Sequence, residues 1–254
     1  MRPVPVKLGQ GILAALKSGK GFGGASRGLP KPTASGVKHE FLECDATLMK
    51  NVKRAAADIL VRFGKANFLV NSAGFLSLKG LDLTEEGIDR KPAVMYYGRW
   101  KFIHDLLPGL RSAKATGEDT RMMAIFSAGN GLKTRFSAIR AVTEVTLYLD
   151  VMIENFAARE PDMMFIHAHP GFVNTRGSES ALLRASSYIL RPIFSPLRNT
   201  PETCGEFQMY TLLHAGAGAS RTNGKAESIG DKGYHVTEAA RKKLWEHTVE
   251  ATTV

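Results

Sequence analysis

The sequence predicts an α/β fold built on a parallel sheet. Short, fully apolar runs alternate with segments whose apolar residues recur at helical spacing, and each run ends in a cluster rich in Gly, Asn, Ser or Thr. Strands buried on both faces read as continuous apolar runs, and strands separated by helices pair in parallel. Apolar residues make up 44% of the chain and charged residues 23%, ordinary for a globular protein.

The elements follow in order. His39–Cys44 reads as a short strand ending at Asp45, with Asp45 or Thr47 as N-cap of the next helix. Val52, Ala55, Ala56, Ile59, Leu60 and Phe63 recur at helical spacing, and Gly64 stops that helix. Asn67–Val70 is a buried-type strand running into Asn71-Ser72-Ala73-Gly74. A long helix covers 94–111, ending near Pro108-Gly109. Met122–Phe126 is a second apolar strand, ending at Ser127-Ala128-Gly129. A helix follows over about Phe136–Ala158, then a third strand, Met163–Ala168, ending at Pro170-Gly171. Residues 176–200 are irregular and basic. Pro201-Glu202-Thr203 opens a helix to about His214, and a last helix spans Thr237–Val249.

With 254 residues the chain is one large domain, or one domain with appendages. No stretch approaches ~18 uninterrupted apolar residues, so no transmembrane helix is predicted. Cys44 and Cys204 lie far apart, outside any CxxC, which speaks against a disulfide framework or thiolate zinc site and for a reducing compartment. The 34 Lys and Arg exceed the 24 Asp and Glu by ten. Seven of these bases, and no acid, fall in residues 1–39, leaving 27 bases against 24 acids elsewhere. Residues 1–37 therefore read as a basic Gly/Pro-rich arm and 38–254 as the folded domain. A secretory signal is not expected, because the apolar run Ile12–Leu16 is short and Lys17 and Lys20 follow it.

In a parallel α/β sheet, ligands bind outside the C-terminal strand ends. Asp45, Asn71–Gly74, Ser127–Gly131 and Pro170–Thr175 all fall there. His167 and His169 share one face of their strand, but no third ligand accompanies them, so no metal site is expected.

These four clusters, in this order, resemble the short-chain dehydrogenase/reductase family. Asn71-Ser72-Ala73-Gly74 is similar to the family's Asn-Asn-Ala-Gly, Asp45-Ala46-Thr47 to its acidic turn against adenine, and Pro170-Gly171-Phe172-Val173-Asn174-Thr175 to the Pro-Gly-x-Val-x-Thr that holds the nicotinamide. Tyr96-Tyr97-Gly98-Arg99, Leu106-Leu107-Pro108, Glu154-Asn155-Phe156-Ala157 and Leu244-Trp245-Glu246-His247-Thr248 resemble a divergent branch found mainly in filamentous fungi. The resemblance covers about residues 38–250. It implies a Rossmann-like three-layer sandwich and NADP or NAD as cofactor, held by Asp45, Asn71, Ala73, Gly74, Pro170, Gly171, Val173 and Thr175.

The sequence departs from that family twice. Gly19-Lys20-Gly21-Phe22-Gly23-Gly24 spells GxGxxG, yet Pro30 and Pro32 follow and only 21 residues separate Gly24 from Asp45. A single βαβ unit takes about 30. The segment is read as a linker, and the chain is expected to lack the family's first strand, first helix and second strand, as an incomplete gene model would. The second departure concerns the family's Tyr-x-x-x-Lys acid/base pair. Ser127 fits the family's substrate-orienting Ser, but the helix after it has no such pair. One alignment puts Phe136 and Arg140 in the two positions; another puts Arg140 and Glu144 there. Tyr97-x-x-x-Lys101 has the spacing but precedes Ser127.

The expected function is an NAD(P)-dependent oxidoreductase interconverting a carbonyl and an alcohol on a small hydrophobic metabolite of fungal secondary metabolism, with Ser127 and Arg140 as catalytic candidates. The alternative is a degenerate, non-catalytic paralogue that binds or scaffolds. The expected partner is a small-molecule substrate, with a homo-oligomer left open and no nucleic acid. The expected location is cytoplasmic.

Overall fold

The structure, a computed structural model, describes residues 40, 42–75, 80–129, 137–173, 198–231 and 236–254, and of 137–142, 172 and 198 the backbone alone. Its centre is a four-stranded sheet formed by β1 (Phe68–Asn71), β2 (Arg121–Ile125), β3 (Met164–Ala168) and β6 (Gly218–Thr222), in that spatial order and parallel throughout. Two residues each of β4 (Phe172–Val173) and β5 (Arg198–Asn199) pair separately. This is the α/β parallel sheet the apolar runs predict, arranged as the Rossmann-like sandwich the resemblance implies.

Helix α1 (Met49–Phe63) forms because Met49, Val52, Ala55 and Ala56 make one buried stripe. It ends at Gly64, whose φ of 68° suits glycine. The segment before it differs from expectation. Leu42–Cys44 is not a strand, and the N-cap is Leu48, without a side-chain bond. The Asp45 carboxylate is engaged locally, accepting from the Thr47 amide (3.0 Å) and hydroxyl (2.7 Å). Glu86 caps α1 instead, its carboxylate accepting from the amides of Met49 (2.6 Å) and Lys50 (3.0 Å).

A helical turn α2 (Arg90–Pro92) and a π-helical segment (Ala93–Tyr97) lead into α3 (Gly98–Ala115). Contrary to expectation, α3 runs through Pro108. A proline inside a helix costs about 3 kcal/mol. Burial of Leu106, Leu107 and Leu110, at roughly 1.5–3 kcal/mol for each fully buried side chain, outweighs it. The next helices are α4 (Ser137–Arg159), α5 (Pro201–His214) and α6 (Glu238–Ala251). The last two start on Thr200 and Thr237, whose hydroxyls accept from the amides three residues on.

The layers follow from strand alternation. Met122, Ala124 and Phe165 pack with Val145, Leu149, Met152 and Phe156 of α4 and with the apolar residues of α3 and α1. Met123, Ile166 and Ala168 face the other way, under Leu212 of α5. Helix α6 closes the outside of α3 and α4. Trp245 meets Trp100 (5.2 Å between ring centroids) and Phe156 (5.1 Å), and the Arg159 guanidinium lies 3.7 Å from its ring.

Candidate functional site

Parallel pairing in register brings the C-terminal strand ends to one edge of the sheet. Asn71, Ala124, His167 and Arg221 form a single row across the four strands. Beyond that row lie Ala73 and Gly74 after β1, Phe126 and Ser127 after β2, and His169–Gly171 after β3. The Phe126 amide donates to the Ala168 carbonyl (2.8 Å) and the His169 amide to that of Thr222 (2.9 Å), so the strand ends stay tied past the row. The edge therefore gathers Asn71, Ala73, Gly74, Ser127, Pro170 and Gly171.

Asn71 is 1% exposed, and neither side-chain amide atom has a partner among the described residues. The Ala73 carbonyl accepts from Arg99 Nη2 at 2.8 Å. A methyl added at Gly74 would stand 3.5 Å from Met95 Cγ and 3.9 Å from Arg99 Nη2, ordinary contact. Gly74 therefore packs against Met95 and Arg99 without strain. Gly171 has φ 74°, and its backbone lies directly against Gly224, where a Cβ would stand 2.9 Å from Gly171 Cα. The Pro170 carbonyl accepts from the Cys204 thiol at 3.5 Å, and Val173 pairs with Asn199. Asp45 lies on the turn before α1, and its neighbour Ala46 presses against the start of α3, where a Cβ on Gly98 would come within 2.6 Å of the Ala46 carbonyl oxygen. Thr175, Phe136 and the Gly19–Gly24 segment lie outside the described residues, as does the side chain of Arg140, whose backbone is on α4.

Tyr97 and Lys101 do not form an acid/base pair at this edge. The Tyr97 hydroxyl is bonded to His247 Nε2 of α6 (2.9 Å), and Lys101 Nζ donates to Asp105 (3.1 Å). Burial raises the pKa of the Tyr97 phenol, making it a still weaker acid. The Tyr96 hydroxyl is shared with Thr248 at 2.7 Å.

Three polar residues behind the edge escape a reading of motifs. Arg99 is 2% exposed, and its guanidinium donates to the carbonyls of Ile125 (3.0 Å) and Ala73 (2.8 Å). Burial pushes it down to about 9. In sequence Arg99 stands at helical spacing between Met95 and Ile103, on the apolar stripe, where a buried arginine looks the same as one that snorkels to solvent. His167 and Asp150 form a buried pair, Nδ1 to Oδ1 2.7 Å. Burial lowers the His167 pKa, against the pull of the Asp150 hydrogen bond, with Arg99 and Arg221 adding to the lowering. His169, half-buried at the edge itself, is lowered by burial too, and its Nδ1 lies 3.4 Å from the Phe126 carbonyl. Among the described residues no group of three or more His, Cys, Asp or Glu could hold a metal ion. None of the described helices is long and apolar enough to cross a membrane.

Comparisons with known proteins agree with this geometry. Residues 23–133 match the family model described as "Enoyl-(Acyl carrier protein) reductase". The chain is 30% identical over 191 residues to "Oxidoreductase AN1596" of Emericella nidulans, covering 70% of this chain and 56% of that one. It is 24% identical over 194 residues to "Short-chain dehydrogenase/reductase SAT2" of Stachybotrys chartarum, covering 65% and 53%. The chain thus spans little more than half the length of these curated relatives. Among solved structures, the NADPH-bound carbonyl reductase from chicken fatty liver superposes with a TM-score of 0.57 at 16% identity, covering 75% of this chain and 77% of that one. The NADH-dependent reductase A1-R' responsible for alginate metabolism gives 0.56 at 19%, covering 74% and 76%. At these identities the two structures speak for the fold.

Proposed function

The chain belongs to the short-chain dehydrogenase/reductase family, and from that premise we propose that it is an NAD(P)-dependent oxidoreductase interconverting a carbonyl and an alcohol on a small hydrophobic metabolite. The observation that supports this is the parallel register, which gathers Asn71–Gly74, Ser127 and Pro170–Gly171 at one sheet edge. Two similar solved structures are an NADPH-bound carbonyl reductase and an NADH-dependent reductase, which supports NADP or NAD and leaves the choice open. A role in secondary metabolism, a cytoplasmic location and a division into an arm, 1–37, and a domain, 38–254, belong to the same proposal.

The residues present fit the nicotinamide half of such a cofactor. Asn71 offers a buried amide with no other partner among the described residues. Ala73 and Gly74 would receive the ribose, Pro170, Gly171, Val173 and Thr175 the nicotinamide, and Asp45 the adenine side. Bound there in reduced form, the cofactor supplies a hydride for a carbonyl carbon. Ser127 would donate a hydrogen bond to the substrate oxygen and orient it. Arg140 is the candidate at the position of the family's acid/base pair, and as a guanidinium it would stabilise charge on that oxygen rather than give up a proton.

One observation favours a second reading, a binding or scaffold protein without turnover. Both phenols of the π-helical segment, Tyr96 and Tyr97, are tied to α6. Fluorescence titration with NADPH and NADH, for wild type and Gly74→Trp, tests the cofactor site. Tight binding by wild type and loss in Gly74→Trp are expected; equal tight binding by both removes the site. Turnover of aryl or polyketide-like ketones then separates the enzyme from the scaffold.

A further inference from the structure

The β1–β2 ladder has its last rung at Asn71 and Ala124. Beyond it the two strands leave each other to form the turns assigned above to cofactor and substrate. Arg99 joins them past this point. Nη2 holds the Ala73 carbonyl and Nη1 the Ile125 carbonyl, so one planar fork spans both strands where backbone pairing stops.

This arginine is brought there by specific local structure. The π-helical turn Ala93–Tyr97 closes with the Gly98 amide donating to the Ala93 carbonyl, five residues back, which resets the faces of the helix that follows. Glycine at 98 lets that helix press on the Ala46 carbonyl. Arg99 then points into the sheet edge, its guanidinium carbon 5.5 Å from the Phe126 ring centroid.

Stability alone does not account for it. A desolvated cation is costly unless paired, and among the described residues no carboxylate pairs with Arg99 and its Nε has no hydrogen-bond partner. A Met or Leu would fill the same stripe without that cost. What an apolar side chain cannot do is fix two carbonyls at one separation.

We propose that Arg99 is a positioning residue: its fork sets the separation of the Asn71–Gly74 turn and the Ile125–Ser127 strand end, and so preforms the slot between them for the nicotinamide end of the dinucleotide. The inference rests on the reading that these two turns face the cofactor. Apparent affinity falls by the fraction of molecules in which the site is formed, so turns that hold the slot for about a tenth to a hundredth of the time would weaken NADPH binding by roughly ten- to hundredfold.

The test compares Arg99→Met, Arg99→Lys and a control, Trp245→Leu, which disturbs the aromatic cluster under α6 away from the edge. Amide hydrogen exchange is followed without ligand, and NADPH binding is titrated well below each variant's melting temperature. In Arg99→Met the amides of Ala73–Phe75 and Phe126–Gly129 are expected to exchange about tenfold faster or more, and NADPH binding to weaken by the stated factor. Arg99→Lys, which keeps the charge but not the fork, should recover part of both. Trp245→Leu should change neither while lowering the melting temperature. Unmoved turn amides in Arg99→Met overturn the proposal, as does NADPH binding equal to wild type. If wild type binds neither NADPH nor NADH, the reading of the site falls, and the exchange measurement still decides whether Arg99 sets the turns.

Discussion

Asn71, Ser127 and Pro170 were legible in the sequence because strand ends carry a compositional signature, small and polar residues directly after an apolar run. Arg99 and the His167–Asp150 pair were not, because a polar residue on an apolar stripe looks the same in sequence whether it snorkels to solvent or is buried. The burial of His167 has a measurable consequence. Its folded-state pKa lies below the ordinary value of 6.5, chiefly from burial, and that of His169 is lowered for the same reason. On acidification the unfolded chain therefore takes up protons before the folded one. The stability that neutral imidazoles contribute is fully present above about pH 6.5 and is lost as pH falls through that value toward the folded-state pKa. Thermal melts between pH 7.5 and pH 5 should show a falling melting temperature, and His167→Gln should flatten part of the slope. A wild-type melting temperature that is flat or rising over this range would show that His167 is protonated in the fold.

At the scale of elements, amphipathic helices and apolar strands were read to within a few residues, while elements held by other forces were missed. Strand β6, Gly-Ala-Ser-Arg-Thr, has no apolar run; it forms because its backbone pairs with β3 across five positions. Nothing local in those five residues announces a strand. The α1 start was misread for a similar reason. Asp45 and Thr47 are typical capping residues, but they satisfy each other in a turn, and the free amides of Met49 and Lys50 turn to Glu86, 37 residues from Met49. A cap supplied from that distance makes the helix start depend on the loop before α2. Glu86→Ala should cost about 1 kcal/mol in urea denaturation, the usual value of a lost cap, and speed exchange at the first turn of α1 alone. Asp45→Ala should leave those two amides unchanged.

At the scale of the molecule, the register across the sheet decides what this chain can do, and it was only half readable. Parallel order and the common edge follow from apolar runs with helices between them, but where the acid/base groups end up depends on packing no motif reports. Helix α6 is the example. Its Thr248 and His247 take up the hydroxyls of Tyr96 and Tyr97, so these two phenols serve the contact with α6 rather than the sheet edge. The other described tyrosines offer no substitute: Tyr148 packs in the main core, and Tyr210 is an exposed residue of α5 stacked on His214. Positioned general acid–base catalysis contributes about 10²–10⁴-fold, and a guanidinium at Arg140 cannot replace a phenol as proton donor. Carbonyl reduction by the chain as written is therefore expected to be slow, below ~1 s⁻¹, the low end of ordinary enzymes. Stopped-flow NADPH oxidation with a panel of aryl and polyketide-like ketones measures it. Phe136→Tyr with Arg140→Lys supplies the pair in one of the two alignments and should raise the rate without restoring full activity. If wild type instead turns over faster than ~1 s⁻¹ and Tyr97→Phe abolishes this, the Tyr97–His247 contact must open in the working enzyme, and α6 becomes a moving part of the site.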